Sequence, residues 1–364
     1  MKTYMRNSNT ELLRIIAMFF IVLSHIGLHS DFSNLLNHNT FISCINDLFI
    51  LAIQGFGKIG VNIFVLISGY YLSLRVDFDK NKCLKMWFQI FVYSILIYIF
   101  SVFIIHNNIF NIHEFVKVFF PISNSRWWFA SSYFILFILS PYINKGLNAL
   151  NEIEFKKVLI IEFVMWSIFP SIFNSPMQSN MFVYMVFMYC IGAYIRRFYF
   201  DNNKKCINIE TDKKLNKFII NNTIIIAICI YVIVYMCAII MIIIFNKYSL
   251  FEGKYMHFYG IQTSPIVIIS ILLFIGFEKR KPLYSKKINY IADGVFGVYL
   301  IHDNTYMRYF LWKQIFRNSQ YQQSSLLIIY LLFEMVLVFC ICLIIEKIRK
   351  VIEIKIIRIF KRNM

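Results

Sequence analysis

Charged residues are scarce in this 364-residue chain: Asp, Glu, Lys and Arg together make up 15%, where soluble domains carry about 25%. A soluble globular class is excluded with them, since 59% of the residues are hydrophobic and the mean hydropathy is +0.63. The short alternating segments of an outer-membrane barrel are missing. No stretch between the apolar runs is long enough for a soluble catalytic or binding domain, so any chemistry has to take place within the bundle or at its edge. The eight cysteines lack metal or redox spacing. Cys340-x-Cys342 lies inside an apolar run and only Cys44 falls in an expected external loop, so neither a disulfide framework nor a metal site is expected. No small-x-small cleavage pattern follows Leu28, and the N-terminal run, with Lys2 and Arg6 before it, reads as a retained signal-anchor helix. Internal repeats, and the inverted repeats of many transporters, are also missing.

Long apolar blocks separated by short charged ones are what the chain does contain. The pattern predicts an all-α polytopic membrane bundle, a single domain over 1–364. About ten spans are expected, near Leu12–Leu28, Leu48–Leu74, Met86–Ile105, Trp127–Ile143, Val158–Phe173, Met181–Arg196, Thr223–Phe245, Tyr259–Phe277, Ile291–Trp312 and Leu326–Ile345. A polar, Lys-rich cytoplasmic linker at 197–222 divides six spans from four. The second span is longer than a crossing needs, which calls for tilt or an irregular start. On this layout 28 of the 37 basic residues share the side of both termini and eight lie opposite, with Arg14 inside a span. Positive-inside bias therefore places both termini in the cytoplasm, in a multi-pass protein of the cell membrane. The net charge of +18 is accounted for by that topology and by anionic lipid, without nucleic acid.

Ionisable residues inside a membrane span are costly and mark candidate sites. Arg14 and His25 both lie in the first apolar run. Eleven residues of α-helix bring them to nearly the same face, about 16 Å apart. Their alternative readings are a snorkelling arginine and an interfacial histidine. Gly55-Phe-Gly57-Lys-Ile-Gly60 imitates a dinucleotide fingerprint but has no preceding strand, and it reads as a bend or a close helix approach. Ser68-Gly69-Tyr70 ends the second span with small residues suited to packing. Arg126-Trp127-Trp128 with Tyr133 is either an interfacial aromatic belt or a surface for sugar rings or acyl chains. His302 closes a late apolar run, Glu162 and Glu334 lie inside spans without an evident partner, and Asp31 is near enough in sequence to orient His25.

With these residues in view, the chain resembles the acyltransferase-3 family of bacterial integral-membrane acyltransferases. The resemblance rests on Arg14 and His25 in the first span, the Gly60–Tyr70 run, the Trp128–Pro141 segment and Phe296–His302. It implies transfer of an acyl group, most often acetyl, from cytoplasmic acyl-CoA to a hydroxyl of a cell-surface glycan or its lipid-linked precursor, in the bacterial cytoplasmic membrane. The acyl-CoA is a co-substrate, with no bound cofactor and no metal. It makes Arg14 and His25 the catalytic pair, with Ser68, Tyr70, Arg126, Trp127, Trp128, Tyr133 and His302 as candidate substrate contacts. The stand-alone type, without an appended extracytoplasmic hydrolase-like domain, is the one resembled. Ala130-Ser131-Ser132 stands where peptidoglycan-modifying members have a glutamate-rich motif. The alternative is a glycan-lineage transporter or flippase without acyl-transfer chemistry.

Overall fold

A computed structural model describes residues 7–33, 35–36, 40–105, 110–173, 180–199, 212–248 and 254–362. Every regular element among them is helical. In chain order these are α1 (Ser8–His29), α2 (Phe41–Gln54), α3 (Phe56–Leu72), α4 (Lys80–Phe103), α5 (Ile112–Val118), α6 (Trp128–Asn148), α7 (Glu152–Phe163), α8 (Phe169–Ile172) and α9 (Met181–Tyr194). Then follow α10 (Asp212–Tyr248), α11 (Ser264–Glu278), α12 (Lys286–Ala292), α13 (Val295–His302), α14 (Thr305–Arg308) and α15 (Leu327–Arg362).

Among the described residues, seven segments are long and apolar enough to cross a membrane: Ser8–His29, Phe41–Leu72, Lys80–Phe103, Met181–Tyr199, Asn222–Ile244, Tyr255–Glu278 and Leu327–Ile356. The other three expected spans are helical but modified. The one near 127–143 is α6, with Pro141 inside it. The one near 158–173 passes from α7 through a π turn at Val164–Ile168 into α8. The one near 291–312 is broken into α12, α13, α14 and a π segment at Tyr309–Ile315. Irregular backbone at such depth is tolerated where protein covers it. The long second span is two helices meeting at Gly55. Its first half begins at Phe41, so the preceding connection is shorter than the sequence implied. Of the expected linker, 200–211 lies outside the described residues, and 212–222 opens α10.

α1 is the hub of the bundle. It packs against α2, α3, α11, α12, α13 and α15. Its start is capped by the Asn7 side chain, which accepts from the Asn9 N–H. Ser8 N–H donates to the Leu283 carbonyl (2.7 Å) and Asn9 Nδ2 to the Lys281 carbonyl (2.8 Å), tying α1 to the turn before α12. The glycines of α3 explain its position. A Cβ at Gly60 would lie 2.5 Å from the Ala17 carbonyl oxygen, and one at Gly69 would lie 2.1 Å from that of Tyr189. α3 is therefore wedged between α1 and α9 at near backbone contact, as small-residue helix interfaces allow. The Gly55–Gly60 motif is a packing device.

Candidate active site

Because α1 is unbroken from Ser8 to His29, Arg14 and His25 occupy one ridge about 16 Å apart. Ala17, Met18, Ile21 and Val22 fill the ridge between them and are all buried. The two ionisable groups thus belong to separate polar clusters joined by an apolar strip.

At the His25 end, α13 delivers His302 from its last turn and Asp303 from its C-cap. His302, fully buried, directs Nδ1 at the Val298 carbonyl (2.6 Å) and Nε2 at His25 Nδ1 (3.1 Å). His25 Nδ1 also faces Asp303 Oδ1 at 3.2 Å. One proton arrangement satisfies these contacts. A carbonyl only accepts, so His302 carries its proton on Nδ1 and presents a lone pair at Nε2. His25 then carries its own proton on Nδ1, shared between His302 and Asp303, and its Nε2 is the basic nitrogen. Arg308 fixes Asp303 through Nε (2.8 Å) and Nη2 (2.7 Å), both to Oδ1. Lys58, on α3, also acts electrostatically on Asp303. His25, His29 and Asp303 offer metal-binding atoms within 4.8 Å of one another. Arg308 and Lys58 already bring positive charge to the same carboxylate, and a further cation there would be opposed by both.

α13 is held from α6. Trp127 is buried, and its indole N–H donates to the Leu300 carbonyl (3.0 Å). Phe129 meets Tyr299 edge-on (5.5 Å between centroids) and stacks on Tyr133 (5.7 Å). The Tyr133 hydroxyl lies 2.9 Å from Ser68 Oγ, which itself donates to the Phe64 carbonyl. Trp128 is half-buried against the core. Arg126 lies over the Tyr306 ring and pairs with Glu114 (3.2 Å).

At the Arg14 end, Nη1 pairs with Glu11 (2.8 Å). Close by, Thr10 bonds to Glu278 and to the Tyr71 hydroxyl, the latter at 2.8 Å. Arg196 donates to the Tyr70 hydroxyl (3.0 Å) and sits over its ring. Arg14 and Arg196 both act electrostatically on Glu278.

The structure thus joins His25 to His302, Ser68 to Tyr133, and Tyr70 to the Arg14 cluster. Asp31 does not orient His25. It is exposed and pairs with Lys313 (2.8 Å), and the carboxylate beside the imidazole is Asp303. Asp303, Arg308, His29 and Lys58 escaped the sequence reading. Their one legible signal was an Asp directly after His302 with an Arg five residues later. Glu334 is buried and accepts from Asn318 Nδ2 (3.1 Å), which also donates to Ser30 Oγ (2.9 Å).

Compared with known proteins, the chain is matched by a family model described as an acyltransferase domain over residues 7–347. Neither a curated protein nor a solved structure matches it.

Proposed function

We propose, from the premise that this chain belongs to the acyltransferase-3 family and is a membrane acyltransferase, that it transfers an acetyl group from cytoplasmic acetyl-CoA to a hydroxyl of a cell-surface polysaccharide or its lipid-linked precursor. The observation that carries this reading is His25 Nδ1 held between His302 Nε2 and Asp303 Oδ1, which leaves Nε2 as the base. Arg14, with its planar donor fork, binds a CoA phosphate at the cytoplasmic end of α1. The pantetheine arm extends along the α1 ridge toward His25, past Met18 and Ile21, which must move aside. The row Tyr299, Phe129 and Tyr133, ending at Ser68, supplies an apolar and hydroxyl-bearing wall for it.

In the transfer step His25 Nε2 takes the proton of the acceptor hydroxyl as its oxygen attacks the thioester carbonyl. The C–S bond breaks as the C–O bond completes, and the imidazolium returns its proton to the departing CoA thiolate. Asp303 stabilises the imidazolium between these events. The same Nε2 can instead carry the acyl group transiently. Membership of an acyltransferase family supports the enzyme over the flippase.

His25→Ala, expressed in a deletion strain, is expected to reach the membrane at normal level yet leave the surface glycan without ester groups and with unchanged polymer length. Mass spectrometry of the glycan reads this. Normal esterification in that strain refutes the assignment, and loss of polymer points to transport.

A further inference from the structure

A polar cavity of about 320 Å³ is lined by Glu114, Lys117, Asn124, Arg126, Thr305 and Tyr306. That size is at the lower end for small-ligand pockets. Its place in the chain connects it to the reacting centre. Thr305 follows Asp303 by two residues, so their Cα atoms are at most about 7 Å apart, and Asp303 faces His25.

The cavity carries an excess of positive charge. Glu114 is shared by Lys117 (2.9 Å) and by Arg126 Nη2 (3.2 Å), one carboxylate against two cations. Arg126 has only 11% of its side chain exposed. Its Nε is buried and has no hydrogen-bond partner. A carboxylate or phosphate oxygen is the acceptor that a guanidinium fork suits best. The Tyr306 ring, already under the guanidinium at 5.5 Å, adds a flat apolar face.

We infer that this cavity is an acceptor subsite for an anionic group on the glycan, a carboxylate or a phosphate, seated on Arg126 with Lys117 beside it, so that the substrate class is acidic glycans. The inference rests on the acyltransferase reading above and names the acceptor of that site. A glycan anchored by its charge at Arg126 brings a hydroxyl of the same or the adjoining sugar toward His25 Nε2.

The test measures binding to the full chain in nanodiscs with three probes: a uronate-containing tetrasaccharide, glycerol phosphate, and a neutral tetrasaccharide. At least one anionic probe is expected to bind about ten- to a hundredfold more tightly than the neutral one, the effect of one charge-assisted hydrogen bond. Which anion binds tighter identifies carboxylate or phosphate as the group. Arg126→Gln should remove the preference, and Lys117→Gln, at a more exposed position, should reduce it several-fold while the neutral probe is unaffected. Equal affinity for neutral and anionic probes, or a preference that survives Arg126→Gln, overturns the inference. Acyl transfer assayed in the same preparation separates the two readings. Anion preference without any transfer defeats the enzyme assignment and leaves the subsite standing. Transfer without anion preference defeats the subsite alone.

Discussion

The two nitrogens of His25 have different surroundings, and the division is imposed by side chains that are remote in sequence. Val298 dictates the tautomer of His302, His302 and Asp303 dictate that of His25, and Arg308 holds Asp303 in place. Asp303→Asn is the sharpest probe of this chain. An amide can donate to His25 Nδ1 and favour the wrong tautomer, and it cannot stabilise the imidazolium. The rate of acyl transfer is expected to fall by about 10²–10⁴-fold, with KM for acyl-CoA little changed. Steady-state kinetics on purified protein checks this, and an unaltered kcat removes Asp303 from the mechanism. Asp303 was visible in the sequence only as the neighbour of His302. The carboxylate that sequence proximity favoured, Asp31, turned out to serve Lys313, because α1 ends at His29 and the chain turns away from the imidazole.

Among the helices, α3 sets the limits on change. Gly69 sits where any side chain would strike the Tyr189 carbonyl, with a Cβ only 2.1 Å from that oxygen. Backbone cannot yield as a flexible side chain can, so Gly69→Val is expected to separate α3 from α9 and abolish the monodisperse peak in detergent size-exclusion chromatography. Gly146, in α6, has nothing within 4 Å of an added Cβ. Gly146→Ala should therefore stabilise the protein, by about 0.5–1 kcal/mol from helix propensity alone, seen as a raised Tm. A destabilised Gly146→Ala alongside a tolerated Gly69→Val would reverse this account of the bundle. Glycine-rich spacing in the sequence signalled close approach but not the partners, and only the fold distinguishes α1 at Gly60 from α9 at Gly69.

For the molecule as a whole, the clusters at the two ends of α1 imply a sided reaction. On the proposed orientation, with the Lys- and Arg-rich side of the termini in the cytoplasm, the Arg14 end faces the cytosol, and CoA is membrane-impermeant because of its charge. Acyl-CoA added to inside-out vesicles is expected to support transfer to acceptor on the other side, and the same addition to right-side-out vesicles is not. Equal activity in both preparations contradicts the vectorial arrangement. Outside the span-forming segments, Glu114 is held below the ordinary carboxylate range by its hydrogen bond from Lys117 and by Arg126. It is therefore ionised at neutral pH, and its one negative charge only partly offsets the two cations of the cavity.

Local pattern alone established that this is a helical membrane protein and that Arg14 and His25 share a ridge. Each of these follows from hydropathy over a window of about 20 residues or from a 3.6-residue period, which one segment contains by itself. Tertiary structure alone decided what meets that ridge. His302 and Asp303 reach His25 from 277 or more positions further along the chain, and Arg126 finds Tyr306 across another long interval. A helical period says which face of a segment is buried, but it carries no information about which other face will cover it.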